Sequence, residues 1–174
     1  MKYLVKLFVV TFLIVNCTYA QAQDKIAYID MKYILNSSDA GNSAQKYLTE
    51  TFKKNQKKFT DLETSLKKEE IDLLGKKNVL TKEEYSKKAD ELRKKVTTYQ
   101  NERRQSLEDI AKKRKDARDL LIKKIDPIIK KYINENGISL LIDKKNIVMG
   151  NSELDITKTI TEQLNKEFPS INLK

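Results

Sequence analysis

The chain has 174 residues, with 35 Lys+Arg against 25 Asp+Glu for a formal charge of +10, no histidine, one cysteine and 4 glycines. Those counts exclude histidine acid–base or metal chemistry and leave no glycine-rich phosphate loop, so no catalytic residue, metal or cofactor is expected. The basic balance attracts anionic surfaces, whether polypeptide, lipid or nucleic acid, without choosing among them.

The first residues read as a secretory signal. Lys2 and Lys6 precede an apolar run over residues 7–15, too short for the roughly 20 residues of a membrane span, and the small residues Thr18, Ala20 and Ala22 follow. Cleavage near Ala20 or Ala22 is expected to remove residues 1–22 and Cys17 with them. The mature chain then has no disulfide and holds together by packing alone in an exported, periplasmic setting. Cys17 as a lipid anchor is the weaker reading, because Asn16 stands where a small residue is needed.

Residues 25–31 are apolar and rich in β formers, which predicts one buried strand. Turn and capping residues crowd residues 36–42, and a helix is expected to start close to Ser43. Its apolar seam, Leu48, Phe52, Asn55, Phe59, Leu62, Leu66, Glu69 and Leu73, alternates steps of four and three. That spacing belongs to a coiled coil. Gly75 and Asn78 interrupt it. Thr81 with Glu84 predicts a capping box opening a second helix at Lys82, with Leu80 and Tyr85 at the staple positions. The second seam runs through Tyr85, Ala89, Leu92, Val96, Tyr99, Arg103, Leu107, Ile110, Arg114, Ala117 and Leu121.

The short connection makes the pair an antiparallel hairpin. A fold-back between Lys77 and Asn78 would set Leu48 against Leu107, Phe59 against Val96 and Leu66 against Ala89. It would leave Arg114 opposite Gly41, ahead of the first helix. Between Ser43 and Glu135 stand 26 Lys+Arg against 17 Asp+Glu, so the positive excess belongs to this segment. The pairs Glu69-Glu70 and Glu83-Glu84 lie on charged helical faces and read as solvated surface. The basic run 112–115 lacks aromatic stacking partners and a docking motif, so no nucleic acid is expected. The polar seam positions Asn55, Glu69, Arg103 and Arg114 either set register or keep the hairpin bendable, and both readings stay open.

Farther on, Leu120, Leu121, Ile122, Ile125, Ile128, Ile129, Tyr132 and Ile133 must enter a better covered core. Asp126-Pro127 predicts a kink or restart there, and Asn136-Gly137 a helix stop. Residues 138–142 and 147–149 read as two strands joined by a tight turn. Asp155 caps a last amphipathic helix carrying Ile160 and Leu164 and ended by Pro169. The fold class is α+β, a long antiparallel coiled-coil helical hairpin over 42–114 on a small β-rich oligomerisation body over 23–41 and 115–174. A core built from under ~70–80 residues usually needs staples or association. With no disulfide available, association through the strands is expected, with Ile26, Tyr28, Ile138, Leu140, Ile142, Ile147 and Met149 as candidate contacts.

This order of parts resembles the Skp, or OmpH-like, periplasmic chaperones. The likeness rests on residues 25–30 with Ile34-Leu35, the basic hairpin, residues 135–143, and residues 155–157 opening the last helix. It spans essentially the whole mature chain. The resemblance implies a homotrimer whose joined strands carry three helical arms around a cavity that holds unfolded outer-membrane proteins without ATP. Candidate client contacts are the charges Lys53, Lys57, Lys87, Lys94, Arg104 and Lys112 and the apolar Leu74, Val79 and Leu80 near the turn. Some relatives carry a lipopolysaccharide site, which no residue here matches, and an anionic lipid or lipopolysaccharide surface stays open as a partner. The alternative is an exported coiled-coil structural adaptor for one specific folded envelope partner.

Overall fold

A computed structural model describes residues 25–173, so the segment expected to direct secretion, with Cys17, lies outside the described residues. Strand β1 (Lys25–Ile29) stops earlier than expected because Asp30 follows. Its carboxylate accepts the Tyr33 N–H at 2.7 Å and starts helix α1 (Met31–Ser37). Ser38 repeats the device, its hydroxyl accepting the Gly41 N–H at 3.2 Å, so the long helix α2 (Asp39–Gly75) begins at Asp39 rather than near Ser43.

Helix α3 (Lys82–Asn136) opens on the expected capping box. The Thr81 hydroxyl accepts the Glu84 N–H at 3.3 Å, and the Glu84 carboxylate accepts the Thr81 N–H at 3.0 Å. The helix runs through Pro127 without the expected restart. A proline inside a helix costs about 3 kcal/mol. Ile125 and Ile128, on either side, are both buried in the core and return about 1.5–3 kcal/mol each. Gly137, at φ 63 and ψ 38, ends the helix in the left-handed conformation.

Strand β2 (Ile138–Asp143) pairs with β1 in parallel, Ile26 opposite Leu140 and Tyr28 opposite Ile142. Parallel strands need a crossover connection. Here the crossover is the entire pair of long helices. The second strand expected at 147–149 does not form, so Ile147 and Met149 lie in a loop. The cause is Asp143, whose carboxylate accepts the Lys145 N–H at 3.1 Å and winds Lys144–Asn146 into a 3₁₀ turn that carries the chain away from β2. Val148 and Met149 are left exposed.

The other edge of β1 is met by Asp155, bridged to Tyr28, and by the Ile156 N–H, which donates to the Tyr28 carbonyl at 3.0 Å. Helix α4 (Thr157–Glu167) starts there, capped by Ile156 rather than by Asp155 as expected, although the Asp155 carboxylate still accepts the Thr157 N–H at 3.0 Å just ahead of it. Leu121, Ile125 and Ile128 form one buried stripe on α3 and meet Ile34 of α1, Ile29 of β1 and Ile160 and Leu164 of α4. Leu120 and Ile122, off that stripe, remain partly exposed.

The long helices pack antiparallel, but in a shifted register. Asn55 donates to the Ser106 hydroxyl at 2.7 Å, Lys58 pairs with Glu102 at 3.1 Å, and Lys113 donates to the Tyr47 hydroxyl at 3.3 Å. Phe59 meets Tyr99 edge to face, with ring centroids 6.1 Å apart. Facing numbers therefore sum to about 160 instead of 155. Helical side chains lean toward their own N-terminus, body-ward on α2 and tip-ward on α3, so each contact falls on a later residue of both helices. Ser106 and Ile110 consequently take the seam, and Leu107 is exposed. Arg114 also faces a helix that has already begun.

Candidate functional site on the arms

The hairpin forms an arm whose seam is only partly closed. Leu48, Phe59 and Ile110 are buried, whereas Phe52, Leu62 and Leu107 are exposed. Register explains the middle gap. The polar pair Asn55 and Ser106 occupies the seam, and Phe52 and Leu107 are turned to its flank, where both line one shallow cleft. Nearer the tip a cleft of 460 Å³ opens between the helices, lined by Leu66, Leu73, Leu74, Tyr85, Leu92 and Val96.

The sequence-derived apolar contacts sit at this end. Val79 is 82% exposed and Leu74 57% exposed, while Leu80 is half-buried. Leu80 heads the turn, its N–H donating to the Lys76 carbonyl at 3.0 Å, and the capping box behind it fixes where α3 begins. Ile71, also strongly exposed and one turn before Leu74, was missed by seam reasoning. Its signal was an isoleucine off the 4-3 repeat.

The expected cationic contacts are all exposed. Lys53, Lys57, Lys87, Lys94 and Lys112 make no ion pair among the described residues, but Arg104 lies 3.9 Å from Glu108 and 3.4 Å from Asn101. Several acids of the arm are engaged with other cations: Glu69 with Lys95 and Asp90 with Arg93, both at 2.6 Å, and Glu63 with Lys67 at 2.9 Å. The Lys67 hydrogen bond, its charge and the Tyr99 hydroxyl together hold the Glu63 carboxyl below its ordinary range. The arm also carries acids without an ion pair among the described residues, Glu83 and Glu91 among them beside Lys87 and Lys94 in one shallow cleft, so its basic character is an excess of charge set among uncovered apolar side chains. Such a surface offers charge and apolar area together.

The outer face of the small sheet carries the other candidate residues. Ile26 and Leu140, paired across the strands, are 46% and 51% exposed, and Met149 projects nearby in sequence beyond the 3₁₀ turn. Tyr28 is buried beneath Gly150 and the Lys144 ammonium, 5.8 Å from its ring centre. Ile142 and Ile147 are half-buried, and Ile138 packs against the core.

A family model described as outer membrane protein (OmpH-like) matches residues 25–164. Among solved structures, the chain is similar to a proposed outer membrane chaperone of the OmpH-like kind from Caulobacter crescentus CB15. The two superpose with a TM-score of 0.79 at 17% identity, covering 89% of this chain and 92% of that one, a likeness of fold. No curated protein sequence matches the chain.

Proposed function

Because this chain belongs to the OmpH-like outer membrane protein family, we propose that it is an ATP-independent periplasmic holding chaperone that keeps unfolded outer-membrane proteins from aggregating. The observation that carries the reading is the arm surface, where unpaired Lys53, Lys57, Lys87, Lys94 and Lys112 lie among the exposed Phe52, Ile71, Leu74, Val79 and Leu107. An unfolded barrel strand offers alternating apolar and polar side chains, and a surface mixing both kinds of contact holds it at many points. No contact needs to be strong. Exposed ion pairs contribute about 0–1 kcal/mol each, so grip comes from their number and release needs no nucleotide.

Export would come from residues 1–22, acting as a cleaved secretory signal. Assembly would come from the outer sheet face, where Ile26 and Leu140 stand uncovered in the single chain. Three copies joined there would set three arms around a common space. An anionic lipid or lipopolysaccharide surface is a further partner that basic arms would accept.

The test is light scattering after dilution of several unrelated unfolded barrel proteins from denaturant, with and without the mature chain. Suppression across all of them is expected, weakening as salt shortens the Debye length from about 8 Å. Suppression of none, with tight binding to one folded envelope protein, would replace the holding role with that of a structural adaptor.

A further inference from the structure

A second surface lies where the arm enters the body. A cleft of 730 Å³ there has Met31, Leu35, Leu48 and Leu121 on its apolar side, and Lys32, Arg114 and Arg118 among its lining cations. Two acids, Asp30 and Asp143, also line it, the first capping a helix and the second held by a lysine, which leaves the lining with more cations than acids. Asp30 accepts the Tyr33 N–H at 2.7 Å, and Asp143 accepts the Lys145 N–H at 3.1 Å with its other oxygen 3.4 Å from the Lys145 ammonium. Lys144 is held by Asp155 at 3.0 Å. Lys32, Arg114 and Arg118 are left with no ion pair among the described residues.

Arg114 and Arg118 stand one turn apart on α3, where like charges repel and weaken a helix by about 0.2–0.5 kcal/mol. A bound carboxylate would relieve that repulsion, and guanidinium groups take carboxylates in paired hydrogen bonds. An inorganic anion would leave the apolar side wet, so the ligand needs an apolar part as well. The volume is that of sites for small ligands, roughly 300–1,000 Å³, which admits a few residues of extended chain and no folded domain.

We propose that this cleft binds a segment of unfolded polypeptide in which a carboxylate lies beside apolar side chains, anchoring the client at the root of the arm. The proposal rests on the holding role and adds a defined, charge-selective subsite to it.

The test uses the whole mature protein and a dansyl-labelled hexapeptide of three Leu and three Asp, compared by fluorescence anisotropy with its counterpart carrying Asn for Asp. The unmodified protein should bind the acidic peptide about tenfold tighter, the size expected of one charge-assisted contact. R114Q/R118Q, at two exposed positions, should keep its melting temperature and lose the preference. K131Q/K166Q, which removes the same charge elsewhere on the body, should keep it. Equal binding of the two peptides, equal loss in both variants, or tighter binding of decanoate than of the acidic peptide would overturn the proposal. Aggregation suppression by the unmodified protein is measured alongside. Its absence would remove the holding role itself, whereas holding without a peptide preference would remove only the cleft.

Discussion

The same substitution, glycine to alanine, should have opposite effects at the two ends of α2. A Cβ built on Gly41 would fall on the backbone carbonyl oxygen of Leu35, 2.9 Å from its carbon and 3.0 Å from the Ser38 hydroxyl. A backbone carbonyl cannot rotate aside, so α1 would have to move off α2, and Ile34, fully buried beside that carbonyl, would move with it. Overpacking of this kind costs about 1–3 kcal/mol, against a helix-propensity gain of at most about 1 kcal/mol. Because the clash is with backbone, the cost falls at the upper end, and the net loss of about 2 kcal/mol corresponds to a fall of roughly 8–16 °C in the melting temperature of a body this small. Gly75, the last residue of α2, has nothing within 4 Å of a built Cβ, so G75A should gain a few tenths of a kcal/mol. Differential scanning calorimetry of both variants reads the contrast. If G41A melted at or above the unmodified protein, the close approach of α1 and α2 would be wrong.

Acid sensitivity should centre on Asp155. Burial raises its carboxyl, but hydrogen bonds from Thr157 and Lys144 outweigh that and hold it below its ordinary range. A depressed acid stabilises the fold above its unfolded value near 4 and loses that contribution as pH falls through the lower folded value. D155N should therefore flatten the acid limb of melting temperature against pH, and an unchanged limb would count against these hydrogen bonds. T81A should loosen the capping box and lower arm helicity by circular dichroism, at a cost of about 1 kcal/mol, with the body intact. L140D should split the proposed assembly, because an unpaired charge buried in the joint costs several kcal/mol. Light scattering showing the same mass for L140D would place the joint elsewhere.

The parts most legible in the sequence were those set by local chemistry. Thr81 with Glu84, Asn136-Gly137 and the stripe 121, 125, 128 each announce a helix start, stop or buried face through contacts within a few residues. What stayed hidden depends on distant partners. β2 reads as half of a local hairpin because 147–149 is equally rich in β formers, yet its partner is β1, more than a hundred residues earlier, and Asp143 diverts the chain first. Register was missed because residue counting ignores side-chain lean, which moved the seam from Leu107 to Ser106. Of the candidate contacts, Val79 and Leu74 emerged from the end of the 4-3 repeat, whereas the root cleft did not, since Lys32 and Arg114 meet only after α1 folds onto α3.

The arm is the proposed holding surface. Deleting residues 56–105 and joining Asn55 to Ser106 by a short turn preserves their 2.7 Å hydrogen bond as the new tip and leaves the whole body in place. Light scattering of an unfolded barrel protein diluted into this variant is the most direct measurement. The variant should keep the mass in solution of the unmodified protein and yet let the client aggregate, whereas suppression as complete as that of the unmodified protein would contradict the arm mechanism.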